Sequence, residues 1–348
     1  VKPKIALIAA EPSGDLLGSF LARDLHNVSL IGMTGPRMRD AGVETIVPAE
    51  KVYVMGLTDV VKKLPSILHA FWQIKKQLLA HNPAVIVTID APAFNLKLAR
   101  ALRKSGYTGQ LVHYVSPTVW AHGKHRIETM AALYDRLLCL FPFEPAYFTH
   151  TSLPTFFVGH PLTQIATPSH GSTIALFPGS RPDEIARNLP LQIAAAKDLG
   201  PYKISCASPS LEPLIRKWAP EALLADTATL LKESRGAFAK SGTITLELAL
   251  NGIPAVVTYP VNFLNRLYVR WVARLTLPYF CLVNILKGRE VFPEFIAKPA
   301  TPEVLREALR PLLEETSLRH DCLQACSELR ESLQPPTQTA AVRIQELL

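Results

Sequence analysis

Short, unbroken apolar runs alternate along this chain with longer stretches whose apolar residues recur every three or four positions. The runs at 4–10, 30–33, 84–89, 110–115, 136–140 and 156–158 have the length and β-branched content of strands buried on both faces. Helical patterns at 15–27 and 95–105 lie between some of them. The segment 159–171, GHPLTQIATPSHG, is rich in turn formers and reads as a linker. Strand runs then resume at 173–176, 202–207, 236–239 and 255–259, again interleaved with helices, and the chain from Pro302 onwards is mostly helical. This alternation predicts an α/β protein of two consecutive doubly wound domains, each with a parallel sheet covered on both faces. No internal repeat or low-complexity tract disturbs it. The length of 348 residues agrees, since it exceeds the size at which a single core usually splits.

Two stretches carry more grease than a buried face needs. In 56–81, apolar Leu68, Phe71 and Trp72 recur at helical spacing with Lys62, Lys63, Lys75 and Lys76 among them, as in a helix lying at a membrane interface. Pro65 would kink that helix or start a second one. In 263–278, Arg266, Arg270 and Arg274 fall every fourth residue beside Leu267 and Trp271. An ordinary core-packed helix is the alternative for each.

Composition narrows the partners. Net charge is +8 and the sequence pI about 9.2, so anionic partners are favoured: nucleic acid, phosphorylated substrates or anionic lipid, among which charge alone does not choose. No zinc-type cysteine pairs and no aromatic-basic signature support nucleic acid. Mean hydropathy is +0.17, yet no apolar stretch approaches the roughly 20 residues that span a bilayer. The run from Ile5 to Ala10 ends in Glu11-Pro12 and is read as a first strand, not a signal peptide. Five scattered cysteines, Cys139, Cys206, Cys281, Cys322 and Cys326, suit a reduced, cytoplasmic protein. Cys322 and Cys326 read as buried small residues rather than a metal pair.

Ligands of doubly wound sheets bind outside the carboxyl ends of the strands, so motifs there carry most weight. Glu11-Pro12-Ser13-Gly14-Asp15 follows the first strand; Ser13 or Asp15 can cap the next helix, and the two carboxylates suit sugar hydroxyls better than phosphate. Asp90, at the end of an apolar strand that Pro92 prevents from continuing, is a candidate general base, with a helix cap as the plain alternative. The loop 114–122 bears Ser116 and Trp120 and could stack a sugar. Pro178-Gly179-Ser180-Arg181 joins strand to helix and offers backbone N–H groups and a forked cation to a diphosphate, with Glu184 close behind. Ser241-Gly242-Thr243 opens another helix, with Glu247 one turn on to hold ribose hydroxyls. The G-x-G-x-x-G fingerprint and the P-loop Lys-Ser/Thr are both absent, which disfavours NAD binding and NTP hydrolysis. No metal-ligand cluster is visible, so no cofactor and no metal are expected.

Taken in order, Ser13-Gly14-Asp15, Gly35-Pro36-Arg37-Met38, Ile89-Asp90-Ala91-Pro92, Tyr114-Val115-Ser116-Pro117, Val158-Gly159-His160, Pro178-Gly179-Ser180-Arg181, Ser241-Gly242-Thr243 and Asn284 with Gly288-Arg289-Glu290 give the chain a pattern that resembles the lipid-A-disaccharide synthase family over nearly its whole length. The resemblance implies a GT-B glycosyltransferase, with Rossmann-like domains at 1–160 and 171–320 facing a cleft and helices at 321–348 returning to the first. It implies transfer from UDP-2,3-diacylglucosamine to 2,3-diacylglucosamine 1-phosphate with inversion, at the cytoplasmic face of an anionic inner membrane. By resemblance Asp90 is the base, Arg181 the diphosphate contact, and Asn284 a donor-side residue with Arg289 and Glu290. The acceptor side is expected to draw on Glu11, Ser13, Asp15, Asn95, Ser116 and Trp120. A second copy of the chain is a candidate partner. Three positions depart from the family's pattern: Ala93 stands where an acidic residue is expected, His122-Gly123 where Trp-Arg is, and Lys240 where a small residue is more usual. Rival readings are another UDP-sugar enzyme on the same scaffold, such as a UDP-N-acetylglucosamine 2-epimerase, and a non-catalytic nucleotide-binding module at the membrane.

Overall fold

The computed structural model describes residues 2–53, 57–120, 123, 125–169, 171–259, 278–296 and 300–348. It divides into two compact units, Val1–Pro161 with Leu333–Leu348, and Leu162–Ser332.

In the first unit the chain runs β1 (Lys4–Ala9), α1 (Pro12–Asp24), β2 (Ser29–Thr34), α2 (Pro36–Asp40), β3 (Glu44–Pro48), α3 (Leu57–His81), β4 (Val85–Ile89), α4 (Pro92–Lys104), β5 (Gln110–Tyr114), α5 (Arg126–Leu133), β6 (Arg136–Cys139) and β7 (Thr155–Phe157). All neighbouring strands are parallel, in the order β3-β2-β1-β4-β5-β6-β7. Successive strand residues serve opposite faces: Ala6, Ile8, Ile31 and Ile86 join one core, Ile5, Leu7, Val85 and Val87 the other. Burial on both sides is why these strands read as unbroken apolar runs. Strand β3 escapes that reading because its pattern, ETIVP, is only partly buried at the sheet edge.

The second unit runs α6 (Leu162–Ile165), β8 (Thr173–Phe177), α7 (Pro182–Ala196), β9 (Tyr202–Ser205), α8 (Glu212–Trp218), β10 (Leu224–Ala225), α9 (Thr227–Glu233), β11 (Ser234–Lys240), α10 (Ile244–Leu250), β12 (Ala255–Tyr259), α11 (Leu282–Lys287), β13 (Glu294–Ile296), α12 (Pro302–Leu313) and α13 (Ser317–Ser332). Its sheet is also parallel, in the order β10-β9-β8-β11-β12-β13. The last helix, α14 (Ala340–Gln345), belongs to the first unit, where Ala341 and Ile344 are buried beside Leu17 and Leu21. There Arg136 bonds the Arg343 carbonyl and pairs with Glu346 at 2.8 Å.

Three expectations change here. Residues 162–169 are not a free linker: Thr167 N–H donates to Asn251 Oδ1 at 3.0 Å and the Ser169 hydroxyl to the Ser234 carbonyl at 2.6 Å, tying them to the second unit. The helical tail crosses at Leu333 rather than near residue 321, because α13 buries Cys322, Ala325, Cys326 and Leu329 and its Glu328 pairs with Lys287 at 2.7 Å. Pro65 lies inside one helix, α3, and starts no second one.

Candidate active site

In a doubly wound sheet the crevice opens where the strand order reverses. That point lies between β1 and β4 in the first unit and between β8 and β11 in the second. The loops leaving those four strands carry Glu11-Ser13, Asp90, Gly179-Arg181 and Ser241-Thr243.

Asp90 sits on a backbone that few residues accept. Its φ is 52° and that of Ala91 is 44°, both left-handed, a conformation costing of order 1 kcal/mol or more per non-glycine residue. Surrounding bonds hold it there. Asp90 N–H donates to the Tyr114 carbonyl at 2.9 Å, and the Asn95 amide donates to the carbonyls of Asp90 at 2.7 Å and Ile89 at 3.2 Å. Beneath it the Thr88 hydroxyl lies 2.8 Å from His113 Nδ1 and 3.0 Å from the Tyr134 hydroxyl, which donates to the Asn95 carbonyl at 3.3 Å. Burial pushes His113 down to about 3, so this string is neutral. The Asp90 carboxylate stays partly exposed and accepts the Ser13 hydroxyl at 3.2 Å. Ser13 therefore bonds the candidate base instead of capping α1, whose N-cap Glu11 makes no side-chain cap.

Other acceptor-side candidates turn inward. Asp15 is 2% exposed and its carboxylate accepts three backbone N–H groups, of Gly35 at 2.8 Å, Arg37 at 2.9 Å and Met38 at 3.1 Å. It caps the start of α2 and has no room for sugar hydroxyls; Gly35 is glycine because a Cβ there would strike this carboxylate. Asn95 is fully buried and positions the Asp90 turn instead of touching substrate. Ser116 is buried, its hydroxyl donating to the Pro117 carbonyl at 3.2 Å. Trp120 packs edge-on against Phe143, ring centres 5.7 Å apart, above the buried Glu144. Burial raises Glu144 to about 8 against its bond from the Phe141 N–H.

In the second unit a cavity of about 220 Å³ is lined by Gly179, Ser180 and Glu184 after β8, Ser205 and Ala207 at and just past the end of β9, Thr227, and Lys240, Gly242, Thr243 and Glu247 at and beyond the end of β11. Gly179 takes φ 117°, which brings the loop over the start of α7. Arg181 is the N-cap residue of α7 and extends into solvent, its side chain 56% exposed, with Nη1 3.8 Å from Glu184 Oε1. Helix α10 begins at Ile244 and is only seven residues long, so its dipole adds less than the sequence suggested. Ser205, Thr227 and Lys240 were not singled out as site residues from sequence; the strand-end rule would have found the first and last.

Asn284 does not line this cavity. Fully buried in α11, it accepts the N–H groups of Val291 and Phe292 through Oδ1 at 2.8 and 2.9 Å and donates to the Phe292 carbonyl at 2.8 Å. It thereby fixes the exposed Gly288-Arg289-Glu290 turn instead of reaching a ligand itself. Glu290 accepts the Glu294 N–H at 3.2 Å.

The greasy helix splits into two stripes. Ala70, Ile74 and Leu78 are buried, and Phe71 packs edge-on with Phe94 at 5.6 Å, so Phe71 serves the core rather than a membrane. Leu64, Leu68 and Trp72 face outward, 47%, 49% and 59% exposed, with Lys75 Nζ 5.1 Å from the Trp72 ring centre. Arg266, Arg270 and Trp271 lie outside the described residues. Among the described residues no helix is long and apolar enough to cross a membrane.

Two parallel sheets, each with its chemistry at the strand-order reversal and the second with a polar cavity there, have the architecture of the GT-B fold. Solved structures share that fold at low identity: the spinosyn forosaminyltransferase SpnP (TM-score 0.62, 14% identical, covering 100% of this chain and 99% of that one) and the UDP-GlcNAc 2-epimerase from Neisseria meningitidis bound to UDP-GlcNAc (TM-score 0.59, 10%, 99% and 98%). The family model for lipid-A-disaccharide synthetase matches residues 5–346. The lipid-A-disaccharide synthases of Gluconobacter oxydans (34% identical, covering 99% of this chain and 90% of the relative) and Chromobacterium violaceum (33%, 98% and 96%) are similar throughout. The chain belongs to the lipid-A-disaccharide synthase family, hexosyltransferases of lipid A biosynthesis.

Proposed function

We propose that this enzyme joins UDP-2,3-diacylglucosamine to 2,3-diacylglucosamine 1-phosphate by a single inverting displacement, giving the β-1′,6-linked disaccharide 1-phosphate and UDP. The observation that carries the mechanism is Asp90: a partly exposed carboxylate held in a left-handed turn at the strand-order reversal, with the Ser13 hydroxyl on it. Asp90 accepts the proton of the acceptor's primary hydroxyl as that oxygen attacks the anomeric carbon. Charge growing on the departing diphosphate is met in the second unit by the Ser180 N–H at the start of α7, by Arg181 and by the turn 241–243. Such fixed donors do the work of a divalent ion, so turnover needs no metal. The acyl chains of both substrates enter from the cytoplasmic leaflet of the inner membrane, which α3 meets with Leu64, Leu68 and Trp72 above Lys75.

The test is UDP release from the donor in the presence of acceptor, with EDTA throughout. Asp90→Asn is expected to lose roughly 100- to 10,000-fold in kcat and Arg181→Ala roughly 100- to 1,000-fold, both with wild-type melting temperatures. Near wild-type rates in either variant would remove that residue from the mechanism, and wild-type turnover that EDTA abolishes and Mg²⁺ restores would overturn the metal-free reading.

A further inference from the structure

The cavity of the second unit sets a carboxylate, Glu184, beside a lining lysine, Lys240. Glu184, the third residue of α7, turns its side chain back over the loop. Its Oε2 accepts the Ser180 N–H at 3.2 Å, and its Oε1 lies 3.1 Å from Lys240 Nζ and 3.8 Å from Arg181 Nη1. The two partners of the close pair are well shielded, their side chains 11% and 21% exposed. Glycine at position 179 makes the approach possible, since a Cβ there would lie 2.7 Å from that of Glu184. A glutamate at the third helical position reaching back to a free N–H is ordinary capping chemistry. Capping does not account for Lys240, which comes from the end of a different strand, β11, and leans on the Tyr259 ring at 5.1 Å.

We infer that Glu184 is an internal competitor for the nucleotide's diphosphate, and that Lys240 is the cation that changes partner, from Glu184 in the empty site to the diphosphate in the loaded one. The inference rests on the donor reading above. A diphosphate entering the cavity seeks the same N–H and the same cations that Glu184 now satisfies. It cannot share them closely, because two anions in a shielded pocket repel more strongly than they would in water. The carboxylate therefore swings away on binding and returns when UDP leaves. The exchange weakens the hold on UDP, the product that must depart before another donor enters, and Lys240 does for this chain what a small residue at that position could not.

Calorimetry of UDP binding to the full chain, at low and moderate salt, tests it. Glu184→Gln keeps the side-chain length and a carbonyl to accept the Ser180 N–H while removing the charge. It is expected to bind UDP roughly tenfold more tightly, and UDP to inhibit its turnover correspondingly better. Lys240→Met is expected to bind roughly tenfold more weakly and with a shallower salt dependence than wild type, which a loss of packing alone would not produce. Should Lys240→Met fail to fold, Lys240→Gln takes its place. The cost of losing Lys240 grows in the Glu184→Gln background, where the lysine is no longer occupied. Unchanged or weaker binding in Glu184→Gln would make Glu184 a cap alone and overturn the competition; unchanged binding in Lys240→Met would remove the exchange. If neither wild type nor Glu184→Gln binds UDP, the donor assignment itself fails and the inference falls with it.

Discussion

Asp15, Asn95 and Asn284 sit where strand-end logic expects substrate contacts, yet each is buried and bonded to the backbone of its own unit. A buried carboxylate accepting three N–H groups, as Asp15 does, leaves three orphan donors when it is removed. Asp15→Ala is therefore expected to lose about 2–4 kcal/mol of stability in urea unfolding, and Asn284→Ala to lose stability through the same loss of backbone partners. In both, the folded fraction should keep kcat/KM within about tenfold of wild type, since neither group reaches the reacting atoms. A variant with an unchanged melting temperature and abolished turnover would return that residue to the substrate site. Asp15 and Asp90 look alike in sequence, a carboxylate just past an apolar strand. What separates them is long-range: the loop from Gly35 to Met38 folds down onto the Asp15 carboxylate, whereas among the described residues the Asp90 carboxylate receives the Ser13 hydroxyl. No local pattern encodes that difference, which is why both read as site residues.

Among the elements, α3 carries the sharpest distinction. Its sequence announces amphipathicity but not that apolar residues form two separate stripes, one packed on the sheet and one bare. Leu68→Ser with Trp72→Ser is expected to reduce sedimentation with anionic vesicles while leaving the melting temperature within a few degrees of wild type. Phe71→Ser, which removes a ring packed on Phe94, is expected to destabilise by about 3 kcal/mol or more. Unchanged sedimentation of the double variant would strip α3 of its membrane role. Strands buried on both faces were legible to within a residue or two, because two-sided burial demands unbroken apolar runs. The edge strands β3, β10 and β13 were not, since partial burial leaves them mixed or very short; β7, also at an edge, was legible through its apolar Phe156-Phe157. The linker reading of 159–171 failed for a related reason: turn-forming residues mark an irregular path, and Thr167 and Ser169 show that such a path can be firmly bonded.

At the scale of the molecule, two parallel sheets follow from the alternation of runs, whereas the return of the chain to the first unit is implied by the family resemblance and not by any local pattern. The buried titrating groups of the first unit follow from neither; they predict how stability responds to pH. Burial lowers His113 to about 3 and His160 to about 4, from 6.5. As pH falls below about 6.5 the unfolded chain binds protons that the fold refuses, so stability drops with decreasing pH. Glu144 acts in the opposite sense. Raised from 4.5 to about 8, it keeps its proton in the fold while the unfolded chain loses it, so stability falls as pH rises between those values and levels off above. Below pH 6.5 the two histidines outweigh the one glutamate, and the urea midpoint is expected to peak near pH 6.5 and decline towards pH 8. Glu144→Gln should abolish the alkaline decline; a wild-type midpoint that climbs steadily to pH 8.5 would contradict the burial assigned to Glu144.

The reaction itself is tested most directly by mass spectrometry of the products formed when the purified chain meets UDP-2,3-diacylglucosamine and 2,3-diacylglucosamine 1-phosphate. The account predicts one disaccharide monophosphate and one UDP for each donor consumed, and neither when the acceptor is left out. UDP released without disaccharide, or a donor recovered as its 2-epimer, would contradict it.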